Sequence, residues 1–350
     1  MKSYNNLFEK MTSFENLTRA AARAERGKRL RVSTAEFNFF REKEIFRLQE
    51  ELITQTYHPG KYRQFYVYEP KPRLISAAPY RDRVVHQAFC HVVESIFDNR
   101  FIHDSYACRE GKGTHRAMNR CQEFARRSKN AYVLKCDIRH YFPSIDHDRL
   151  YQIFSKRIRD KRVLWLARVI IDSANGLRLT LSDQGENIVN GVGIPIGNLT
   201  SQFFANVYLN ELDYFVKFAL REKHYIRYMD DFLVFGRDKK SLHRIKEEIA
   251  RFAGDSLGLG LHADKSTVFP VKSGVDFCGF RVFPYYRRLR RANVKVFVER
   301  VKKLRDAFSR GEIGIKQISD SVMAWVAHAS HGNTYSLRKK LFSNIAFAVR

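Results

Sequence analysis

The sequence predicts an α+β fold, helical towards both ends, with short β runs gathered around acidic residues in the middle. Three observations carry this prediction. Residues 14–56 and the stretch from about Asn293 onward place apolar residues at helical spacing. Two segments, "YRQFYVYEPKPRLISAAPYRDR" and "YIRYMDDFLVFG", hold β-like runs broken by turn residues. No repeat, low-complexity block or Gly/Pro-rich linker interrupts the chain, which points to packed subdomains without flexible tethers.

Taken in order, "STAEFNFFREKEIFRLQEELITQ" carries Phe37, Phe40, Ile45, Leu48 and Leu52 near helical spacing, and Ser33 or Thr34, with Glu36 behind it, reads as an N-cap. The two β-like runs that follow set Tyr62, Phe65, Tyr66 and Tyr68 among Lys and Arg. Half-buried packing is expected of such a run, with base stacking as the functional alternative. A helix is expected from about Asp82 to Phe97. "AYVLKCDIRHYFPSIDHDRL" reads as a strand ending at Asp137, broken at Pro143 and resumed as a helix after Ser144, with Asp146 capping or orienting that helix. "NGVGIPIGNLTSQFFANVYLNELDYFVKFAL" is a loop entering a helix whose Phe203, Phe204, Val207, Leu212 and Phe215 form an apolar stripe for the core.

Composition narrows the function. Lys and Arg number 63 against 37 Asp and Glu, a formal charge of +26, and nucleic acid is the expected polyanionic partner. Basic clusters at residues 23–31 and 287–291, continuing to Lys295, Arg300, Lys302, Lys303 and Arg305, suit phosphate contacts that weaken steeply with salt. No run of 18 apolar residues and no secretory leader is present, so a soluble protein without a membrane partner is expected. The five cysteines are scattered with no CxxC pair, as reduced thiols rather than a zinc site.

Adjacent carboxylates, Asp230 and Asp231, fall at the turn between the two runs of "YIRYMDDFLVFG". Two ionised neighbours in a partly desolvated turn repel unless a cation joins them. If the strand ending at Asp137 neighbours this hairpin, three acids from two elements form an oxygen-rich pocket suited to Mg²⁺ and to two-metal phosphoryl transfer.

The chain resembles the reverse transcriptase family through six segments in series. "YMDD" matches the catalytic hairpin and "KCDIRHYFPSID" the first catalytic strand; "KPRLISAAPYRDRVVHQAF" and "FIHDSYACREGKGTHRAM" resemble the preceding finger motifs; "GLGLHADKSTVFP" and "FCGFRVFP" resemble the lysine-bearing segment and the primer-grip turn. This resemblance implies a right-hand polymerase: a helical extension (1–58), fingers with the start of the palm (59–130), an antiparallel-sheet palm (131–286) and a basic helical thumb (287–350). It implies that Asp137, Asp230 and Asp231 hold two Mg²⁺ ions, with Mn²⁺ as a substitute, and that Lys265 protonates departing pyrophosphate. Lys71, Arg73, Phe142, Ile196, Gly197 and Gln202 then line the dNTP pocket. Phe142 would exclude a ribose 2′-hydroxyl, with Tyr141 as its rival. Asp146 is left out of the metal set.

"GIPIGNLTSQ" departs from the common pattern: Ile196 stands before Gly197 where most relatives carry Gln, and Ser201-Gln202 closes the motif in place of Ser-Pro. In this loop and in "SVMAWVAHASHGNTYSLRKKLF" the chain resembles the reverse transcriptases of diversity-generating retroelements. That likeness implies low fidelity at template adenines, a specific template RNA, a primer or cDNA strand, a small basic accessory protein forming a helical barrel, and a cytoplasmic site of action in a bacterial, archaeal or phage-infected cell. A retron-like or antiviral-defence enzyme is the alternative, the retron type being less favoured because the thumb region lacks Val-Thr-Gly. Group II intron proteins are expected to continue into a DNA-binding or endonuclease region beyond the position of Arg350. A nucleic-acid-binding module that has lost its chemistry is the rival from another class, and the complete set of three aspartates argues against it.

Overall fold

The computed structural model describes residues 3–68, 72–179 and 190–343. In chain order, α1 (Phe8–Thr12), α2 (Phe14–Ala24), α3 (Val32–Phe39) and α4 (Arg41–Ile53) precede two antiparallel strands, β1 (Arg63–Val67) and β2 (Arg73–Ala77), and the long α5 (Tyr80–Asp98). Next come α6 (Thr114–Arg127), β3 (Tyr132–Asp137), α7 (His147–Ser155), α8 (Lys161–Asp172) and α9 (Leu199–Tyr214), then the hairpin β4 (Tyr225–Tyr228) and β5 (Asp231–Gly236). After α10 (Lys239–Leu257) follow β6 (Thr267–Pro270), β7 (Val275–Phe277), β8 (Phe280–Val282) and β9 (Arg287–Leu289), and last α11 (Arg291–Ser309), α12 (Ile315–Ala329) and α13 (Tyr335–Phe342). The chain gathers into two units, one from residues 1–103, 138–221 and 247–262, the other from 104–137, 222–246 and 263–350.

The first unit is built around α5, whose Val84, Val85, Ala88, Phe89, Val92, Val93, Ile96 and Phe97 are all buried. A helix apolar on most faces must be surrounded, and α2 and α9 lie against it. Phe89 and Phe97 meet Phe154 of α7 and Phe203 and Phe204 of α9; the Phe97 and Phe154 rings stack at 5.1 Å. Asp160 caps two helices at once: Oδ1 accepts from the amides of Arg162 and Val163 at the start of α8, and Oδ2 from those of Leu7 and Phe8 at the start of α1.

Two local expectations are corrected here. Neither Ser33 nor Thr34 caps α3: the helix begins at Val32, and the Arg31 carbonyl already accepts from the amides of Thr34 and Ala35. Phe40 ends that helix and is 55% exposed, whereas Phe37, Ile45, Leu48 and Leu52 are buried. Half-buried packing of the aromatic run holds for Tyr62, which is partly buried, and for Phe65 and Tyr66, which are 41% and 42% exposed, but not for Tyr68 at 71%. Every residue of β1 keeps exposed surface, and only the partner strand β2 alternates, burying Leu74 and Ser76. An alternating pattern fixes which side chains share a face, but it does not supply a layer to cover that face.

The second unit holds a four-stranded antiparallel sheet in the order β4-β5-β3-β6. Leu134, Cys136, Phe232, Val234 and Tyr225 fill one of its faces, and all are buried. The other face carries Val133, Ile226, Leu233 and Phe235, in one core with Ala117, Met118, Cys121 and Phe124 of α6 and with Val275, Phe277, Phe280 and Val282 of the sheet β7-β8-β9. Phe297 of α11 and Trp325 of α12 stack at 3.8 Å. The outer edge of β4 is covered by residues 104–106: the Arg227 amide donates to the Asp104 carbonyl at 2.9 Å, and the Tyr106 amide donates to the Arg227 carbonyl at 3.0 Å. Covering an edge strand in this way closes it to other chains.

Among the described residues no helix is long and apolar enough to cross a membrane. None of the five cysteines is in a disulfide.

Candidate active site

β3 and β5 are antiparallel neighbours in a register that sets Asp137 opposite Asp231. Directly opposed residues have Cβ atoms about 5 Å apart, so two carboxylates that are remote in sequence project from one end of the sheet on the same face. Asp230 completes the turn between β4 and β5 with Met229, whose φ of +56° is left-handed. A non-glycine residue in that region costs about 1 kcal/mol and persists where its surroundings fix it. Here Arg227, entirely buried, donates from Nη1 to the Met229 carbonyl at 3.1 Å, and the Tyr228 hydroxyl meets that of Thr114 at 2.9 Å.

Each of the two opposed aspartates has an ammonium partner. Lys265 Nζ lies 3.0 Å from Asp137 Oδ1, and Lys135 Nζ lies 2.9 Å from Asp231 Oδ2 while also donating to the Asp276 carbonyl of β7 at 2.8 Å. The second oxygen of Asp231, Oδ1, is buried and accepts no hydrogen bond. Burial pushes the Asp231 carboxyl up to about 6; Lys135 pulls it down, and Asp230 and Asp137 add to the rise.

An orphaned buried carboxylate oxygen beside two further aspartates is a donor set for a hard cation, so these residues fit divalent ions. Among the described residues, no three Asp, Glu, His or Cys side chains already stand close enough together to hold a metal ion. Asp146 is the N-cap of α7, its Oδ1 accepting from the Arg149 amide at 2.8 Å.

The remaining sequence-predicted positions lie in the first unit. Tyr141 is buried, its hydroxyl donating to the Ala205 carbonyl at 2.6 Å, while the adjacent Phe142 keeps exposed surface. Of the two rings, Phe142 is thus the more accessible. Arg73 is exposed at the start of β2, and Gln202 is exposed in the first turn of α9. Lys71 lies outside the described residues.

The loop bearing Ile196 and Gly197 is fixed to β2: the Ser76 amide donates to the Ile196 carbonyl at 2.9 Å, and Asn198 exchanges hydrogen bonds with the Ser76 carbonyl and the Ala78 amide. Gly197, at φ +121°, has room for no Cβ, because one would sit 2.8 Å from Ile75 Cγ2. Ile196 itself stays half-exposed. Sequence reasoning missed Lys135, Arg227 and Asn198. A charged or amide side chain inside an otherwise apolar run was the only available signal.

A family model described as reverse transcriptase (RNA-dependent DNA polymerase) matches residues 67–282, more than half of the 350-residue chain. The chain belongs to the reverse transcriptase family. This reverse transcriptase is 25% identical over 276 residues to protein YkfC of Escherichia coli, an alignment covering 67% of this chain and 70% of the relative. It is 22% identical over 330 residues to the group II intron-encoded protein LtrA of Lactococcus lactis, covering 75% of this chain and 53% of the relative. The reverse transcriptase thus spans about half the length of that relative. A solved structure, apo telomerase from Candida tropicalis truncated from the C-terminal domain, superposes with a TM-score of 0.49 at 12% identity, covering 70% of this chain and 59% of the other. The matched domain is that of an RNA-directed DNA polymerase with a mixed helix-and-sheet fold, and members of the family use divalent metal ions and bind template RNA and a primer.

Proposed function

We propose that this reverse transcriptase copies one specific template RNA into cDNA with errors concentrated at template adenines, as in diversity-generating retroelements. The observation that carries the catalytic part is the register that sets Asp137 against Asp231 at the mouth of the β4-β5 turn. Bound Mg²⁺ at Asp137, Asp230 and Asp231 would activate a primer hydroxyl and neutralise the leaving pyrophosphate. Lys265, beside Asp137, would meet charge on that leaving group and protonate it. Arg73, with Lys71, would fork onto the triphosphate. In this reading residues 1–58 are a helical extension, 59–130 the fingers with the start of the palm, 131–286 the palm and 287–350 the thumb. The template RNA and a small basic accessory protein are the partners.

Low fidelity rests on Ile196. Its backbone is held on β2 while its half-exposed side chain offers shape but neither donor nor acceptor, where Gln would hydrogen-bond to an incoming nucleotide or its neighbours. One such contact is worth about 1 kcal/mol, a severalfold to tenfold change in discrimination. Replacing Ile196→Gln is therefore expected to lower misincorporation opposite adenine severalfold in a primer-extension assay read by sequencing. An unchanged error spectrum would remove Ile196 from the explanation. Phe142→Val is expected to raise ribonucleotide incorporation by about tenfold or more, scored as alkali-labile sites in the product. Product as resistant to alkali as that of the wild type would take the sugar gate away from Phe142.

The similarity to LtrA favours a second reading, an intron-type enzyme that copies its RNA faithfully. Sequencing the RNA that copurifies and the cDNA made from it separates the two: adenine-directed errors support the first, and uniformly accurate copies of an intron support the second.

A further inference from the structure

The loop that carries Ile196 is anchored at two ends. Its far end rests on β2, as described above. Its near end lies along the segment that carries Phe142: the Ile194 amide donates to the Phe142 carbonyl at 2.9 Å, the Gly193 amide to the Ile145 carbonyl at 2.7 Å, and the His147 amide to the Gly191 carbonyl at 2.9 Å. Within this ladder one side chain is out of the ordinary. His147, the first residue of α7, is wholly buried, with Nε2 2.8 Å from the Gly193 carbonyl and Nδ1 3.3 Å from Asp172 Oδ1 at the end of α8. A carbonyl only accepts, so Nε2 is the ring nitrogen that donates, to Gly193, and Nδ1 faces the Asp172 carboxylate. Asp172 is itself fixed through Oδ2, which accepts from Arg168 Nε at 2.6 Å. Gly193, at φ +91°, has no space for a Cβ, which would stand 3.0 Å from the Pro143 carbonyl.

We infer that His147 is a positioning residue for nucleotide selection. Backed by Asp172 and Arg168, it sets the height of the Gly193–Ile196 loop relative to Phe142, and so the width of the slot between the sugar gate and the residue that faces the nascent pair. Nothing in the chemistry of the aspartates requires it. A helix start needs only a capping group, which Asp146 already supplies, so a buried imidazole reaching a loop carbonyl is surplus to local folding. Its loss leaves the Gly193 carbonyl unpaired in the interior, and a buried orphan acceptor moves towards water if its loop can shift.

The inference rests on the reading that this loop lines the nucleotide pocket. The test is steady-state single-nucleotide addition by His147→Leu, Asp172→Asn and Ile196→Gln, with correct dNTP, mismatched dNTP and ribonucleotide, alongside thermal melts. In both His147→Leu and Asp172→Asn, KM for the correct dNTP is expected to rise about tenfold while kcat changes less than about threefold, and discrimination against mismatch and ribonucleotide shifts in parallel. His147→Gln, which can still donate to the Gly193 carbonyl, is expected to restore much of the KM. If the melts fall but KM and discrimination stay at wild-type values, His147 only stabilises the fold and the inference is overturned. If Ile196→Gln also leaves both parameters unmoved, the reading of the loop as a pocket wall fails instead. Should His147→Leu not fold, Asp172→Asn decides alone: a rise in KM supports the inference, and wild-type KM overturns it.

Discussion

Asp231→Asn is expected to abolish nucleotide addition and at the same time raise the thermal midpoint of the metal-free protein. The loss follows from removing one of the charged oxygens that would hold divalent ions, and a fall in kcat of about a thousandfold or more is expected. The gain follows from the burial of the group. Burial pushes the Asp231 carboxyl up to about 6, so at neutral pH the ionised group is held in the interior against a desolvation cost that a neutral amide does not carry. Asn still offers an oxygen to Lys135, and Asp137 and Asp230 remain to balance the ammonium, so about 2–4 °C is expected.

The pH dependence gives a second readout of the same site. The folded-state carboxyl titrates near 6, above its ordinary value, so its contribution to stability is fully present at low pH and lost as pH rises through about 4 to 6. The variant lacks this term, and its advantage should be larger at about pH 8 than at about pH 4. Wild-type primer extension by Asp231→Asn, or a lower midpoint at alkaline pH, would contradict the account.

The second large effect is expected at a residue that touches no substrate. Arg227→Met should destabilise the protein by about 3 kcal/mol or more and lower kcat about tenfold to a hundredfold in the molecules that remain folded. The guanidinium is wholly buried and holds the Met229 carbonyl, while the backbone of the same residue pins residues 104–106 to the edge of β4. With the side chain truncated, the left-handed turn loses the bond that fixes it, and Asp230 and Asp231 lose their placement to a fraction of an ångström. Melting curves and kcat at saturating dNTP check both parts. A folded Arg227→Met enzyme with wild-type kcat would show that the turn holds itself.

Much of this site is legible locally. The hairpin around Asp230 and Asp231, the strand ending at Asp137 and the cap at Asp146 follow from side-chain periodicity and turn chemistry, which operate over a handful of residues. What stayed hidden depends on partners far along the chain. Lys135 meets Asp231 across 96 positions and Asn198 meets Ser76 across 122, and no local pattern marks either. The misplaced cap at Ser33 and the exposure of Tyr68 have the same root. A hydroxyl shows that a helix can start beside it, but the backbone bonds had already begun at Arg31; alternation shows a strand, but not whether anything will lie across it.

The exposed surface of β1 and Tyr68 has a practical consequence. Phe65, Tyr66 and Val67 of β1 and Tyr68 just beyond it keep about 40–70% of their surface exposed, an adhesive ribbon by its chemistry, and the formal charge of +26 opposes the approach of a second copy. A trace of polyanion removes that repulsion before it shields the ribbon, and concentrated salt removes it as well. Turbidity on titrating heparin should therefore peak near charge neutrality and clear in excess. The purified enzyme is best handled either fully stripped at moderate ionic strength or fully saturated with nucleic acid.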